Sequence, residues 1–235
     1  MIDKTLLKQQ SQRLGILLDD KMLSDFDTYA EMLVETNKQF NLTAITEPDE
    51  IVIKHFADSL SLLTIGIKEN AKIIDVGTGA GFPAIPLMIA RRDIRFTLID
   101  GSGKKLKFVS DVCNKLSLNA EIIHTRAEEL GKDTHYREKY DYATARAVSA
   151  MRELSEYCIP FVKVGGSFIA MKGIKADEEI KEASNAIKIL GGKINTKKEI
   201  VLDESASRII IDVIKISETP TKYPRASAQI AKKPL

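Results

Sequence analysis

A short apolar run that leads directly into a glycine-rich turn constrains the fold of this chain more than any other feature. The run covers 72–76, and the turn at 77–81 reads Gly-Thr-Gly-Ala-Gly before a helical pattern begins. A second apolar run, at 96–99, ends in Asp100. In a parallel sheet, the turn after the first strand and the acidic residue after the second lie at the same edge. The two features predict a nucleoside-binding crevice for an adenosine-containing cofactor.

The spacing of these glycines distinguishes two kinds of ligand. It is G-x-G-x-G, whereas the dinucleotide fingerprint is G-x-G-x-x-G. Gly77 and Gly79 permit a positive φ and a close approach of the backbone to a ligand. Phe82 and Pro83, however, occupy the place where a pyrophosphate would need a helix N-terminus. Their apolar wall favours an adenosyl or methionyl group over a diphosphate, and a strand-to-helix turn without any ligand is the alternative.

The chain changes character near residue 66, from purely helical patterns to alternating ones. Before that point, apolar spacing predicts helices at 6–18, from Ser24-Asp25 to about Phe40, and from Pro48 to Leu63. After it, strands are predicted at 72–76, 95–99, 120–124, 139–145, 166–171, 193–202 and 208–216. Helices are predicted between them at 83–92, 103–117, 149–161 and 175–190.

The alternation of strands and helices predicts a parallel sheet with right-handed crossovers. The last two strands follow each other through a turn at 203–205 and should form an antiparallel pair. A Rossmann-like α/β sheet of seven strands with a terminal antiparallel hairpin is usual for class I S-adenosylmethionine-dependent methyltransferases. We therefore predict an N-terminal helical cap at 1–66, a methyltransferase domain at 67–218 and a basic C-terminal tail at 219–235, packed on the domain or extending from it.

The composition narrows the class of protein. A net charge of +2 over 235 residues is far from the strongly basic balance of many nucleic-acid-binding domains, so any basic binding surface has to be local. Cys113 and Cys158 match no metal-binding spacing, which predicts a reducing compartment and no metal site. The polar N-terminus does not resemble a signal peptide, and no apolar stretch is long enough for a membrane helix. We expect a cytoplasmic monomer without membrane contact.

Polar residues follow the predicted strands at the edge where ligands of parallel sheets bind. The Asp100 carboxylate can accept hydrogen bonds from both ribose hydroxyls, and Gly101 and Ser102 lie beside it. Asp100 and Ser102 can also cap the following helix. After the third strand, the Ala127 amide and the Glu128 carboxylate can bind the adenine edge; a solvated helix start is the alternative for Glu128.

Three cations after predicted strands are the candidate catalytic or substrate-contacting residues. Arg146 ends a strand that should be buried, where a charge requires a partner. We expect a carboxylate or an RNA phosphate there, and a plain salt bridge is the alternative. Arg126 and Lys172 are candidates for contacts with substrate phosphates. His55 is expected to pack or cap, and Asp75 either anchors a ligand through a water molecule or caps the turn.

Two missing motifs restrict the methyl acceptor. No Asp/Asn-Pro-Pro-aromatic tetrapeptide follows the fourth predicted strand, which disfavours methylation of an exocyclic base amine. No cysteine ends a strand, which disfavours covalent attack on a pyrimidine ring. A purine ring nitrogen such as guanine N7 has its own lone pair and needs no deprotonation. Catalysis would then rest mainly on proximity and orientation.

Five short segments together resemble one protein family. They are Asn-Leu-Thr-Ala-Ile-Thr at 41–46, Lys-His-Phe-Ala-Asp-Ser-Leu at 54–60, Asp-Val-Gly-Thr-Gly-Ala-Gly-Phe-Pro at 75–83, Ala-Arg-Ala at 145–147 and Lys-Tyr-Pro-Arg at 222–225. The sequence resembles the bacterial ribosomal RNA small-subunit methyltransferase G family, also called glucose-inhibited division protein B. The resemblance runs from about Met22 to the end, although 101–103 is richer in glycine than usual and 227–235 matches only loosely.

The resemblance implies an activity, a cofactor and a partner. Members use S-adenosylmethionine to methylate N7 of a guanine in 16S rRNA, so the implied partner is 16S rRNA within the small ribosomal subunit or its precursor. The positions that match the family's cofactor-binding residues are Gly77, Phe82, Asp100, Gly101, Ser102, Ala127, Glu128 and Arg146. Gly79 joins them as a position where the backbone can approach the cofactor.

Three other functions stay open from the sequence. A small-molecule methyltransferase would use the same cofactor site and leave the basic tail idle. A nicotinamide oxidoreductase is disfavoured by the glycine spacing and the terminal hairpin. A non-catalytic RNA-binding module would bind rRNA without the cofactor. For an RNA substrate, the cations of the tail, together with Lys104 and Lys105, are expected to contact phosphates.

Overall fold

A single seven-stranded sheet organises the computed structural model, which describes residues 1–203 and 207–235. Its strands are β1 (Lys72–Val76), β2 (Arg95–Asp100), β3 (Ala120–His124), β4 (Tyr140–Arg146), β5 (Val162–Lys172), β6 (Gly192–Val201) and β7 (Ser207–Lys215). Their order in the sheet is β3-β2-β1-β4-β5-β7-β6. The first five pair in parallel, and β7 pairs antiparallel with both β5 and β6. This confirms the predicted class I fold, although residues 204 and 205 of the predicted turn at 203–205 lie outside the described residues.

Helices cover both faces of this sheet. They are α1 (Lys4–Arg13), α2 (Asp20–Asn37), α3 (Pro48–Glu50), α4 (Asp58–Leu60), α5 (Ala84–Ala90), α6 (Gly103–Lys115), α7 (Ala127–Leu130), α8 (Met151–Cys158), α9 (Ala176–Ile189) and α10 (Ser227–Lys232). A π-helical stretch, Ile51–Ala57, joins α3 to α4, and a 3₁₀ helix, Ser61–Ile65, follows α4. The predicted third helix is therefore a continuous helical segment, 48–65, with a π-helical centre.

Two N-terminal helices differ from their predicted bounds because of their caps. The first was predicted to reach residue 18, but α1 ends at Arg13, just before Gly15 takes a left-handed φ of +76°. The second begins four residues before Ser24, with Asp19 as its cap and the Asp19 carboxylate accepting from the Met22 amide at 2.7 Å. Ser24-Asp25, the predicted start of this helix, lies inside α2, and Asp25 is buried.

Short helices and one strand start also differ from the predictions. The four-residue helix α7 corresponds only to the helix start given as the alternative for Glu128, and the tail, whose prolines predict an extended or loop-like segment, contains α10. Helices this short have too few residues to show an apolar period. Strand β5 begins at Val162, four residues earlier than predicted.

The two faces of the sheet belong to two apolar clusters. Ile73 of β1 lies in one and Ile74 in the other, as expected for alternating side chains of a strand. The first cluster joins the sheet to the N-terminal helices, α5 and α6, and the second joins it to α8 and α9. The N-terminal helices and the sheet therefore share one core, which places the helical cap directly against the sheet.

One buried side chain connects the cap to the glycine-rich turn. The Tyr29 ring, on α2, is fully buried and lies 5.5 Å from the Phe56 ring and 5.3 Å from the Phe82 ring, between centroids. Its hydroxyl donates to the Ala80 carbonyl at 2.6 Å. Burial raises the pKa of Tyr29 well above its usual value, so the hydroxyl keeps its proton and remains a donor.

The tail packs on the domain. Arg137 donates to the carbonyls of Thr219 and Tyr223, and Arg152 donates to the carbonyl of Leu235. The Arg225 guanidinium donates to both oxygens of the Glu156 carboxylate. None of the helices in the described part of the chain has the length and apolar character needed to span a membrane.

Candidate active site

A cavity of about 540 Å³ opens at the carboxyl ends of the first four strands, a volume within the range of small-molecule sites. Its walls come from Gly77, from 100–102, from 125–128, from 147–149, and from Tyr157 of α8 and Ser227 of α10. Of the predicted site residues, Gly77, Asp100, Gly101, Ser102, Arg126, Ala127 and Glu128 line it. Gly79, Phe82, Arg146 and Lys172 are outside this lining.

The glycine-rich turn requires glycine at its first position. Gly77 has a φ of +70°, and a Cβ there would lie 2.8 Å from Cγ2 of Val148, in the loop after β4. The conformation and this close approach both exclude a side chain. Gly79, with a φ of +60°, donates its amide to Oδ2 of Asp100 at 3.0 Å. The turn after β1 and the end of β2 therefore hold each other in place.

The Asp100 carboxylate is fixed by two backbone amides. Oδ2 accepts from Gly79, and Oδ1 accepts from the Ser102 amide at 2.8 Å. A carboxylate oxygen has two acceptor positions, so each oxygen can still accept a ligand hydroxyl. Ser102 is the residue before α6, but its side chain makes no capping hydrogen bond. Asp100 is thus oriented by the protein and has acceptor capacity left for a ribose.

The loop after β3 forms the opposite wall. Ala127 and Glu128 begin α7, and Glu128 is buried within the cavity wall instead of lying in solvent. Arg126 is exposed and lies against Gly101, where a Cβ would be 3.4 Å from its Nε. Arg126 therefore borders the mouth of the cavity.

Asp75 lies under the turn as a buried acid. Its Oδ1 accepts from the Thr144 hydroxyl at 2.9 Å, and its Oδ2 has no hydrogen-bond partner in the described part of the chain. Burial raises the pKa of Asp75 from 3.8 to about 7. Asp75 is therefore enclosed beneath the glycine-rich turn and is not among the residues that line the cavity.

Arg146 lies outside the cavity, in a group of side chains that we call the Arg146 cluster: Arg146, Phe82, His55, Asp58 and Arg208. The Arg146 guanidinium carbon is 4.7 Å from the Phe82 ring centroid. Nη1 donates to Asp58 Oδ2 at 2.8 Å, and Nη2 donates to His55 Nδ1 at 3.0 Å. Within the chain, the partner of this strand-end charge is the Asp58 carboxylate, which is the salt bridge given as the alternative.

His55 is neutral and orients its neighbours. A guanidinium only donates, so Nδ1 must accept from Arg146, and the proton of the ring is on Nε2, which faces the Thr43 hydroxyl oxygen at 2.8 Å. The ring stacks on Phe82 with 4.3 Å between centroids. Burial and the charge of Arg146 lower the pKa of His55 from 6.5 to about 3. His55 packs against Phe82, as expected. Its one lone pair, on Nδ1, already accepts a hydrogen bond from Arg146, so His55 is not available as a base.

Lys172 holds a loop and faces away from solvent. Its Nζ donates to the Ser149 carbonyl at 2.6 Å and pairs with Glu179 at 2.7 Å. Glu179 in turn accepts from the Met151 amide at 2.8 Å. These contacts fix the segment after β4, where Ala147 takes a φ of +55° and Val148 covers Gly77. The ammonium group expected at substrate phosphates is thus bound to protein partners.

Sequence reasoning missed Asp58, Arg208, Tyr157 and Ser227 as site residues. Asp58 carried a usable signal, because an acid between Ala57 and Leu60 in an apolar helical stripe is buried only with a partner. Tyr157 and Ser227 carried no such signal in the sequence. They come together because the tail packs on α8, where their hydroxyl oxygens lie 3.5 Å apart.

Comparison with known proteins gives consistent matches over the whole chain. The family model described as rRNA small subunit methyltransferase G matches residues 22–208. A protein of Alkaliphilus metalliredigens named Ribosomal RNA small subunit methyltransferase G is 47% identical over 240 residues, covering 100% of both chains. A protein of the same name from Acetivibrio thermocellus is 46% identical over 234 residues, covering 99% of this chain and 96% of its own length.

Solved structures share the fold at low identity. A SAM-dependent methyltransferase from Aquifex aeolicus superposes with a TM-score of 0.56 at 17% identity, covering 78% of this chain and 98% of that one. TYW2 from M. jannaschii, in complex with AdoMet, gives a TM-score of 0.57 at 13% identity, covering 75% and 81%. Because the family model spans most of the sequence and the relatives match it from end to end, the chain belongs to the rRNA small subunit methyltransferase G family.

Proposed function

We propose that the protein transfers a methyl group from S-adenosylmethionine to N7 of a guanine in 16S rRNA. The observation that supports this most is the cavity at the carboxyl ends of the strands, with Asp100 and the buried Glu128 in its walls, in a chain whose relatives are named rRNA methyltransferases. We propose further that it acts as a cytoplasmic monomer on the small ribosomal subunit or its precursor.

The residues around the cavity fit this cofactor. Asp100 has acceptor capacity for two ribose hydroxyls, and the Glu128 carboxylate and the Ala127 amide are placed to bind the adenine edge. The glycine-rich turn beside the cavity takes the positive φ that Gly77 permits. When bound, S-adenosylmethionine supplies an electrophilic methyl group on a sulfonium.

The protein's own part in the chemistry is orientation. Guanine N7 carries a lone pair, so no side chain has to remove a proton before attack. This agrees with His55, the buried histidine of the Arg146 cluster, whose lone pair is bound by Arg146. We propose that Arg146, held at the end of β4, donates to an oxygen of the target nucleotide and aligns N7 for transfer.

Binding of RNA phosphates falls to cations near the mouth of the cavity. Arg126 is exposed there and Lys105 lines the cavity, whereas Lys104 is exposed on α6 beside α2. Arg225 of the tail is bound to Glu156, so it contributes to the packing of the tail instead. With a net charge of +2, recognition should depend on the shape of the ribosomal particle more than on general attraction to RNA.

The test is methyl transfer to the proposed acceptor. The protein is incubated with methyl-labelled S-adenosylmethionine and small ribosomal subunits that lack the modification, and the digested RNA is analysed for labelled 7-methylguanosine. Label in that nucleoside supports cofactor, reaction and substrate together. Cofactor binding without label in the RNA would redirect the proposal to a small-molecule acceptor.

A further inference from the structure

We infer that Asp58 is the positioning residue of Arg146: it fixes the guanidinium against Phe82 and offsets its charge beside the methyl acceptor. The contacts between Asp58 and Arg146 support the positioning itself. The effect on catalysis rests on the proposed function. Asp58 lies in the helical cap, so a residue of the cap would belong to the machinery that aligns the substrate.

Asp58 is a fully buried carboxylate shared by two arginines. Its Oδ2 accepts from Arg146 Nη1 at 2.8 Å and from Arg208 Nη2 at 2.8 Å, and its Oδ1 accepts from Arg208 Nε at 2.6 Å. Asp58 comes from the cap, Arg146 from the end of β4 and Arg208 from the start of β7. In the sequence, Arg146 is 88 positions and Arg208 is 150 positions away from Asp58. Charge-assisted, forked bonds of this kind fix direction as well as distance.

The local shape of the cap brings further acceptors to the same guanidinium. Arg146 Nη1 also donates to the Lys54 carbonyl at 3.0 Å, and Nη2 donates to His55 Nδ1. Lys54 and His55 belong to the π-helical stretch Ile51–Ala57, which ends directly before Asp58. Short π-helical stretches occur frequently at functional sites. Three acceptors from one short segment therefore hold Arg146 in a single orientation.

The charge of the cluster gives Asp58 a second role. Methylation of guanine N7 makes the purine ring cationic, and a nearby guanidinium opposes that change. The cluster contains two arginines, one carboxylate and a neutral His55, which leaves one net positive charge. Loss of the carboxylate would leave two positive charges in a largely buried place. That change should slow methyl transfer, and it should not weaken attraction for RNA phosphates.

The cap offers a matched control for a merely structural role. Asp25 of α2 is also a buried carboxylate shared by two cations, Lys21 at 2.7 Å and Arg92 at 2.7 Å. It joins α2 to the segment after α5, away from the Arg146 cluster. Asp25→Asn therefore disturbs the docking of the cap as Asp58→Asn does, without altering the charge beside Arg146.

The experiment compares Asp58→Asn with Asp25→Asn in the full chain. For Asp58→Asn we expect kcat on unmodified small subunits to fall about 100-fold, while KM for subunits and the cofactor Kd change less than about threefold. For Asp25→Asn we expect a lower Tm with kcat within about twofold of wild type. A folded Asp58→Asn protein with wild-type kcat, or equal losses of kcat in both variants, would overturn the inference.

A second readout does not depend on methyl transfer. In wild type, ¹⁵N NMR should show His55 with its proton on Nε2 only and no titration above about pH 5, because Arg146 occupies Nδ1. Asp58→Asn should release Arg146 and give a mixture of tautomers. An unchanged His55 spectrum in Asp58→Asn would contradict the inference, even if that variant is inactive. A wild-type protein that makes no 7-methylguanosine would contradict the proposed function alone.

If Asp58→Asn does not fold, Asp58→Glu is compared with Asp25→Glu. The longer side chain keeps the charge and displaces the carboxylate by one methylene group, so we expect kcat to fall about tenfold for Asp58→Glu and to stay unchanged for Asp25→Glu. Wild-type kcat in Asp58→Glu would overturn the inference.

Discussion

The cavity and the Arg146 cluster lie at the same edge of the sheet but are built in different ways. The cavity is formed mainly by loops that follow successive strands, so Gly77, Asp100 and Glu128 come from one stretch of the chain. The cluster joins Asp58, Arg146 and Arg208, which come together only after the cap has docked on the finished sheet. The cavity is therefore a property of the sheet, and the cluster is a property of the contact between sheet and cap.

The largest expected effect is a loss of kcat without a loss of cofactor affinity when the Arg146 cluster is changed. Arg146→Ala should lower kcat by about 10³-fold, roughly 4 kcal/mol, because the aligned donor is lost. The cofactor Kd should stay near wild type, since Arg146 is outside the cavity lining, and the chain should fold because Arg208 still pairs with Asp58. Rapid-quench methyl transfer and calorimetric titration measure the two quantities.

An active Arg146→Ala protein would remove Arg146 from the mechanism. A loss of cofactor affinity as large as the loss of kcat would show that Arg146 also binds the cofactor. The family resemblance implies this role, because it places Arg146 among the cofactor-binding positions.

At the cavity we expect the opposite result, a large change in the cofactor Kd with a small change in kcat. Asp100→Ala should raise the cofactor Kd by about 10²-fold, because hydrogen bonds to a charged group contribute about 1.5–3 kcal/mol each and the Gly79 amide also loses its acceptor. At saturating cofactor, kcat should fall much less than in Arg146→Ala. Calorimetric titration is the measurement, with Asp111→Ala, which removes an exposed acid of α6, as the control. Unchanged affinity would show that the ribose is held elsewhere.

A pH-dependent effect concerns stability under the glycine-rich turn. The pKa of Asp75 is raised from 3.8 to about 7 in the folded chain, so the folded state binds the proton more tightly than the unfolded state. Its favourable contribution is complete below about pH 4 and is lost as the pH rises to about 7. Relative to wild type, Asp75→Asn should therefore gain roughly 4 kcal/mol in unfolding free energy between these pH values.

Urea unfolding of both proteins at pH 4.5, 6 and 8, without cofactor, measures this difference. A difference that does not change between pH 4.5 and 8 would contradict the raised pKa of Asp75.

The smallest expected effect tests whether the tail belongs to the cavity. Ending the chain at Ala226 removes Ser227 from the wall and the buried Ile230 from the core, and should raise the cofactor Kd about fivefold. The control is Lys232→Ala with Lys233→Ala, which removes two exposed charges and keeps α10. If the control loses activity on subunits while the truncation keeps cofactor affinity, the tail is an RNA contact instead.

The sequence was sufficient for the cavity because its residues follow a spacing fixed by the strand-turn-helix unit. Gly77 must have a positive φ, and Asp100 must end the neighbouring strand, so both can be read locally. The Asp58 contacts were beyond such reasoning, since they depend on how 48–65 packs against β4 and β7. The same reason explains the tail: its polar, proline-containing sequence predicts an extended segment, whereas Ile230 finds a buried place on α8.

The bond from the Tyr29 hydroxyl to the Ala80 carbonyl has a thermodynamic consequence for the order of binding. It joins α2 to the glycine-rich turn, so a partner that shifts α2 would change the free energy of the turn. Linkage requires the effect to be reciprocal: if the ribosomal particle tightens the cap, it raises cofactor affinity by the same factor by which the cofactor raises affinity for the particle. A single buried phenol would thus couple the two binding equilibria of the proposed reaction.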